Sequence, residues 1–237
     1  MDLKTLREQT YIADEYLEGD PKAVVIWLHG LGYCEYRTEP STPMVEWARR
    51  GALVILPWYG PWSWMNRQAR QFVDDVVDAA FDIYRLPAAT PVITTGGSMG
   101  GLSTLLHARY ARHPVVACSA ACPPCDLPYS FHERPDIPRT VRHAFRGYPE
   151  PLEEVLLEHS PLHQVPGMPD IPYQVIHGGA DTAVAKAHHS DPFVAAMRKA
   201  GRRVEYIEIP KMTHNGDAMP LDAIRRRIDF VSSFIPK

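Results

Sequence analysis

With 237 residues, 45% of them hydrophobic and 22% charged, the chain has the length for a sizeable core and a charge content that excludes a disordered segment. A net charge of −3 excludes a protein that binds nucleic acid mainly through phosphate contacts. Four cysteines are too few for a disulfide scaffold at this length, and no apolar stretch approaches the roughly 18 residues that a membrane helix needs.

In chain order, the opening MDLKTLREQTYIADEY contains no apolar run of signal-peptide type, so a soluble, cytoplasmic protein is expected. A short strand is expected within residues 10–17. Ala23–Leu28 (AVVIWL) is a continuous apolar run rich in β-branched residues, ending at His29-Gly30. Residues 52–56 (ALVIL) form another and end at Pro57, ahead of a loop that holds Trp58, Trp62 and Trp64. Residues 68–84 place Phe72, Val73, Val76, Val77, Ala80, Phe81 and Tyr84 at three- and four-residue spacings, which predicts a helix with one core-facing stripe. Strands follow at 91–95 and 114–118, with a helix over Met99–Tyr110 between them. After a further strand at 173–176, a helix is expected at 187–200, a strand at Val204–Ile209 and a last helix at 222–234. Continuous apolar strands alternating with helices predict an α/β fold, a mostly parallel, doubly wound sheet covered on both faces.

One connection breaks the rhythm. About fifty residues rich in Pro and His separate the fourth parallel strand from the fifth, far more than a usual connection. A short helix is expected there at Leu152–Glu158. Residues 123–170 are read as a small cap inserted into a single domain over 1–237. The 23 prolines are spread along the chain, consistent with many turns rather than a repeat.

The strongest local signal is Gly96-Gly97-Ser98-Met99-Gly100-Gly101, directly after one strand and directly before a helix. This is a G-x-S-x-G elbow in the context it requires. A serine at such a tight turn has strained dihedrals, and its neighbours two residues away come too close for side chains. The turn carries no P-loop lysine and lacks the G-x-G-x-x-G spacing, which argues against a phosphate cradle.

A serine hydroxyl needs a base, and the base an orienting carboxylate. Among 11 histidines, His214 follows the last strand in a loop expected at the C-terminal edge of the sheet, in the chain order serine, acid, histidine. Asp181 follows the strand ending His177-Gly178-Gly179 and opens at the same edge. Asp126, after the preceding strand, is the rival acid, whereas Asp217 is too near His214 in the same loop to be an attractive partner. An oxyanion hole would draw on the backbone N–H of Met99, next to the serine, and that of Leu31 in the His29-Gly30-Leu31-Gly32 loop. His29 itself is read as a structural support of that loop.

Together these residues resemble the α/β-hydrolase family, over about residues 20–235. The stretch from Ser160-Pro161-Leu162 to His177-Gly178-Gly179-Ala180-Asp181 looks like the C-terminal part of its prolyl-oligopeptidase-like branch. That branch includes small esterases as well as peptidases, and the large N-terminal propeller of the oligopeptidases has no counterpart here. The resemblance implies an eight-stranded core. Six strands are placed well, with a seventh within 10–17, and the family's first strand is expected to be missing.

Function is accordingly expected to be that of a serine carboxylesterase acting on small-molecule esters with short acyl chains. The alternatives are a peptidase or thioesterase with the same triad, or a catalytically silent ligand-binding protein on this fold. No metal or organic cofactor is expected, and homo-oligomerisation is left open. Trp58, Trp62 and Trp64 are candidates for a substrate pocket, against core packing under the cap. Cys122-Pro123-Pro124-Cys125 is a lone C-x-x-C pair, weak evidence for zinc, and is read as two unreactive thiols.

Overall fold

A computed structural model describes residues 1–34, 37–214 and 219–237. Seven strands form one sheet: β1 (Thr10–Ile12), β2 (Ala23–Leu28), β3 (Ala52–Pro57), β4 (Val92–Gly97), β5 (Val115–Ala121), β6 (Tyr173–Gly178) and β7 (Val204–Ile209). Their order is β1-β3-β2-β4-β5-β6-β7, with β1 antiparallel to β3 and every other pair parallel. The strand expected within 10–17 stops at Ile12 and passes into a 3-10 turn at Asp14–Tyr16.

The alternation of side chains explains why the central strands read as unbroken apolar runs. Val24, Ile26 and Leu28 of β2, with Leu53 and Ile55 of β3, face one core, while Ala23, Val25, Ala52 and Val54 face another. Helices α3 (Arg67–Ile83), α4 (Met99–Tyr110) and α9 (Ser190–Lys199) cover the first face. Helices α2 (Thr42–Arg49) and α10 (Leu221–Ser232) cover the second. Both faces are covered, as a parallel sheet requires. β7, at the edge, buries only Ile207 among its interior positions, which matches its polar–apolar alternation.

Helix α2 was not among the expected elements. It buries Met44, Trp47 and Ala48, and the Trp47 indole N–H donates to the Ile228 carbonyl of α10 at 3.2 Å. Its signal is Ser41-Thr42-Pro43, a cap residue followed by proline in the first turn. Eight residues with three apolar contacts are too short a stripe to stand out by periodicity.

The long connection between β5 and β6 carries α5 (Leu127–Glu133), α6 (Ile137–Ala144), α7 (Leu152–Glu158) and α8 (Pro161–Gln164), of which only α7 was expected. It is bound to the loop after β3 and the start of α3. The Trp64 indole donates to Thr140 Oγ1 at 3.1 Å, and the Asn66 amide donates to the Ala144 carbonyl at 2.8 Å. Arg67 pairs with Glu150 and Glu158, and Arg70 with Glu158.

Candidate active site

The loops after β2, β4 and β6 meet at one edge of the sheet. Ser98 sits between β4 and α4 with φ 57° and ψ −128°, a left-handed conformation that costs a non-glycine residue free energy. The turn is held by Ser98 N–H on the Ala121 carbonyl at 2.9 Å and by the Gly101 and Leu102 N–H groups on the Ser98 carbonyl. The flanking glycines are steric necessities. A Cβ on Gly100 would lie 2.1 Å from the Leu28 carbonyl oxygen, and one on Gly96 would lie 2.4 Å from that of Gly100.

His214 stands over Ser98, its Nε2 2.8 Å from the serine Oγ. Its Nδ1 is 2.7 Å from Asp181 Oδ2, and because a carboxylate can only accept, Nδ1 carries the proton. Nε2 is therefore free to accept from the serine hydroxyl. The two loops come together because β6 ends in glycines: a Cβ on Gly178 would sit 2.1 Å from the Met212 carbonyl oxygen. The Ala180 N–H then donates to that same carbonyl at 3.1 Å.

The Asp181 side chain is fully buried and well bonded. Its Oδ1 accepts from the Ala183 and Val184 N–H groups at 3.0 and 2.9 Å. Burial alone would raise its carboxyl, but hydrogen bonds from His177, His214 and the Val184 amide outweigh burial and hold it well below the usual carboxylate range. His177, itself buried, donates from Nε2 to the Val184 carbonyl at 2.9 Å and lies 3.4 Å from Asp181 Oδ2, with the Ser190 hydroxyl 2.6 Å from its Nδ1. Sequence reasoning assigned His177 no role. The signal available was its place at the strand end, four residues before the acid.

The rival acid is placed elsewhere. Asp126 caps α5 by accepting from the Tyr129 N–H at 3.1 Å, and a His163 nitrogen approaches it only to 3.9 Å. Asp217 lies outside the described residues.

The amides of Leu31 and Met99 have no acceptor among the described residues. The Leu31 loop is close to the serine, since a Cβ on the adjacent Gly30 would lie 3.8 Å from Ser98 Cβ. His29 supports that loop from within. It is buried between Tyr33 and Tyr59, its Nδ1 donates to the Gly30 carbonyl at 3.0 Å, and burial pushes it down to about 4.

The three tryptophans part company. Trp64, buried, lines a recess of about 10 Å³ at Ser98 together with Leu31 and residues of α5 and α6. Trp58 and Trp62 are 48% and 40% exposed and line a separate groove of about 770 Å³ with Tyr33, Phe72 and His143, which Ser98 does not touch.

Cys122 and Cys125 are free and buried, and burial pushes the Cys122 thiol up to about 12. The ligand atoms of Cys122, Asp181 and His214 lie within 4.8 Å of one another, so these three could hold a cation. To do so, Asp181 and His214 would have to give up the bond between them, and the buried thiol its proton.

A serine hydroxyl hydrogen-bonded to an imidazole that a carboxylate orients can attack an acyl carbon. Comparison with known proteins agrees with that chemistry. Residues 63–236 match the model of the Prolyl oligopeptidase family. The chain belongs to this family. Its fold is the α/β-hydrolase fold, as the resemblance implied. Among solved structures, an acylaminoacyl peptidase from Pyrococcus horikoshii is similar at a TM-score of 0.74 and 15% identity, over 92% of this chain and 37% of that one. A puromycin-hydrolyzing peptidase from Mycobacterium tuberculosis is similar at 0.69 and 20% identity, over 92% and 35%. Esterase B from Lactobacillus Rhamnosis is similar at 0.71 and 14% identity, over 96% and 86%. The chain thus spans little more than a third of the two peptidases but most of the esterase. No curated protein matches the sequence.

Proposed function

We propose that this family member is a serine carboxylesterase that hydrolyses short-chain acyl esters. The observation that carries the reading is the unbroken relay from Ser98 Oγ through His214 to Asp181, at 2.8 and 2.7 Å. Ser98 attacks the ester carbonyl while His214 Nε2 takes its proton. Asp181 holds the productive tautomer and balances the imidazolium that forms. The Leu31 and Met99 amides, free of other acceptors among the described residues, receive the oxyanion, each donor being worth about 3 kcal/mol in the transition state. His214 then protonates the leaving alcohol, and water repeats the cycle on the acyl-enzyme.

Short acyl chains are favoured by the narrowness of the recess at Ser98, which bulky, buried Trp64 helps to line. Residues 123–170 act as a cap within a single domain, and α5 and α6 supply one wall of that recess. Peptidase activity is the second reading, supported by the family to which the chain belongs.

The test is kcat/KM across p-nitrophenyl esters of two to sixteen acyl carbons, with aminoacyl anilides and acyl thioesters alongside. The reading expects a maximum at two to four carbons. A maximum at twelve or more would overturn the short-acyl claim, and cleavage of anilides alone would move the assignment to a peptidase.

A further inference from the structure

The groove that Trp58 and Trp62 line has no part in the chemistry at Ser98, yet it has the dimensions of a binding site. Its volume of about 770 Å³ lies within the roughly 300–1,000 Å³ of small-molecule clefts. Its walls are tied to one another. The Trp58 N–H donates to the Gln9 carbonyl at 2.9 Å, and the Gly32 N–H to the Pro61 carbonyl at 2.7 Å. Asn66, at the start of α3, is bonded to Ala144 at the end of α6. The groove is therefore formed before anything enters it.

The lining sets the shape of a guest. Trp58 and Trp62 are exposed, whereas Trp47 and Trp64 are buried. Large rings left open together mark an interaction site rather than ordinary surface. Neither ring belongs to the apolar clusters on the two faces of the sheet. Trp62 meets His143 only edge-on, with 5.7 Å between ring centroids. Tyr33 and Phe72 add further rings to the lining. Walls of this kind suit a flat aromatic guest, which can stack on one ring and meet another edge-on.

Charge sets the sign of that guest. Arg37 and Arg146 line the same groove, and neither forms an ion pair among the described residues. The Arg37 guanidinium donates to the Glu39 carbonyl at 3.2 Å. Of the described residues in the lining, Glu8 alone is a carboxylate. Two guanidiniums against one carboxylate leave at least one positive charge in excess. A guanidinium holds a carboxylate through two parallel N–H···O bonds, which a neutral hydroxyl cannot reproduce.

We propose that this groove is a second binding site, separate from Ser98, for small aromatic carboxylic acids, whose ring lies against Trp58 and Trp62 and whose carboxylate meets the guanidiniums of Arg37 and Arg146. The site goes beyond the esterase reading and does not depend on it.

Isothermal titration at pH 7.5 and low salt with 2-naphthoate, neutral 2-naphthol and cationic 2-naphthylmethylammonium tests it. Naphthoate should bind with a Kd of about 1 mM or tighter, the value that ordinary ligand efficiency gives an acid of this size. Naphthol should bind about tenfold more weakly, and the ammonium more weakly still. Trp58→Ala should weaken naphthoate and naphthol alike, by about fivefold. The double variant Arg37→Gln/Arg146→Gln should weaken naphthoate by about tenfold and leave naphthol unchanged. Naphthol or the ammonium binding as tightly as naphthoate would overturn the proposal, as would no naphthoate binding up to about 5 mM. A naphthoate Kd unmoved by both sets of substitutions would place the acid elsewhere on the chain and overturn it too. The comparison of acid, alcohol and ammonium uses the unaltered chain, so it stands even if a variant does not fold.

Discussion

Replacing Asp181 by asparagine tests the relay with little change of shape. The asparagine carbonyl can still accept from the Ala183 and Val184 amides, so the turn at 181–184 is retained. In place of Oδ2, 2.7 Å from His214 Nδ1, it presents an NH2 group. Two donors cannot face each other there, so the imidazole shifts its proton from Nδ1 to Nε2. Nε2 lies 2.8 Å from Ser98 Oγ, and once protonated it can no longer take the serine proton. The imidazolium of the transition state also loses its counter-charge. A loss of roughly 10⁴-fold in kcat is expected, as in serine-protease triads, with KM changed little. At about 1.4 kcal/mol per decade this is about 5.5 kcal/mol of transition-state stabilisation. The assay is steady-state hydrolysis of p-nitrophenyl acetate, with circular dichroism as the control for folding. Asp126→Asn should cost less than about threefold, because asparagine caps a helix as well as aspartate does. Activity of a folded Asp181→Asn protein within tenfold of wild type, or a larger loss in Asp126→Asn, would refute the reasoning.

Gly100→Ala should prevent folding to the native state or lower its stability by several kcal/mol, since the new methyl would lie 2.1 Å from a backbone oxygen of β2 that cannot swing away. Thermal unfolding checks this, and a midpoint within 2–3 °C of wild type would contradict it. Acid should destabilise the fold well above the carboxylate range. Burial pushes His29, His107 and His159 down to about 4, so between there and the unfolded value near 6.5 the unfolded chain binds more protons. Their contribution is complete above that window and is lost as the pH falls through it, by about 2 kcal/mol for each histidine from pH 7 to pH 5. Urea midpoints at pH 7, 6 and 5 should fall steadily, and an unchanged midpoint at pH 5 would show that these histidines are not buried neutral.

Much of the sheet was legible because its central strands are buried on both faces and flanked by amphipathic helices. Ala23–Leu28 and Val204–Ile209 have the expected bounds, as does the helix Met99–Tyr110. Helices α2, α5, α6 and α8 escaped notice because they are four to eight residues long and are fixed by tertiary contacts rather than by a repeating stripe. Ser98 was legible because its steric demands write glycine at Gly96 and Gly100. The side chains gathered around it from the insertion, Ser130 and Glu133, were not legible. A serine or glutamate in a short helix has no local pattern that tells which loop will pack against it. The tryptophan loop shows the same limit. Three rings at two- and four-residue spacings looked equivalent in sequence, and only Trp64, at a positive φ of 48°, turns toward Ser98.

The central claim is that Ser98 is a nucleophile activated by His214. Incubation with a fluorophosphonate, followed by intact mass and peptide mapping, addresses it directly, since the probe requires an activated serine. The account predicts one covalent adduct per chain, on Ser98, formed in parallel with loss of esterase activity and absent from Ser98→Ala. An adduct on another residue, or near-wild-type ester hydrolysis by folded Ser98→Ala, would contradict it.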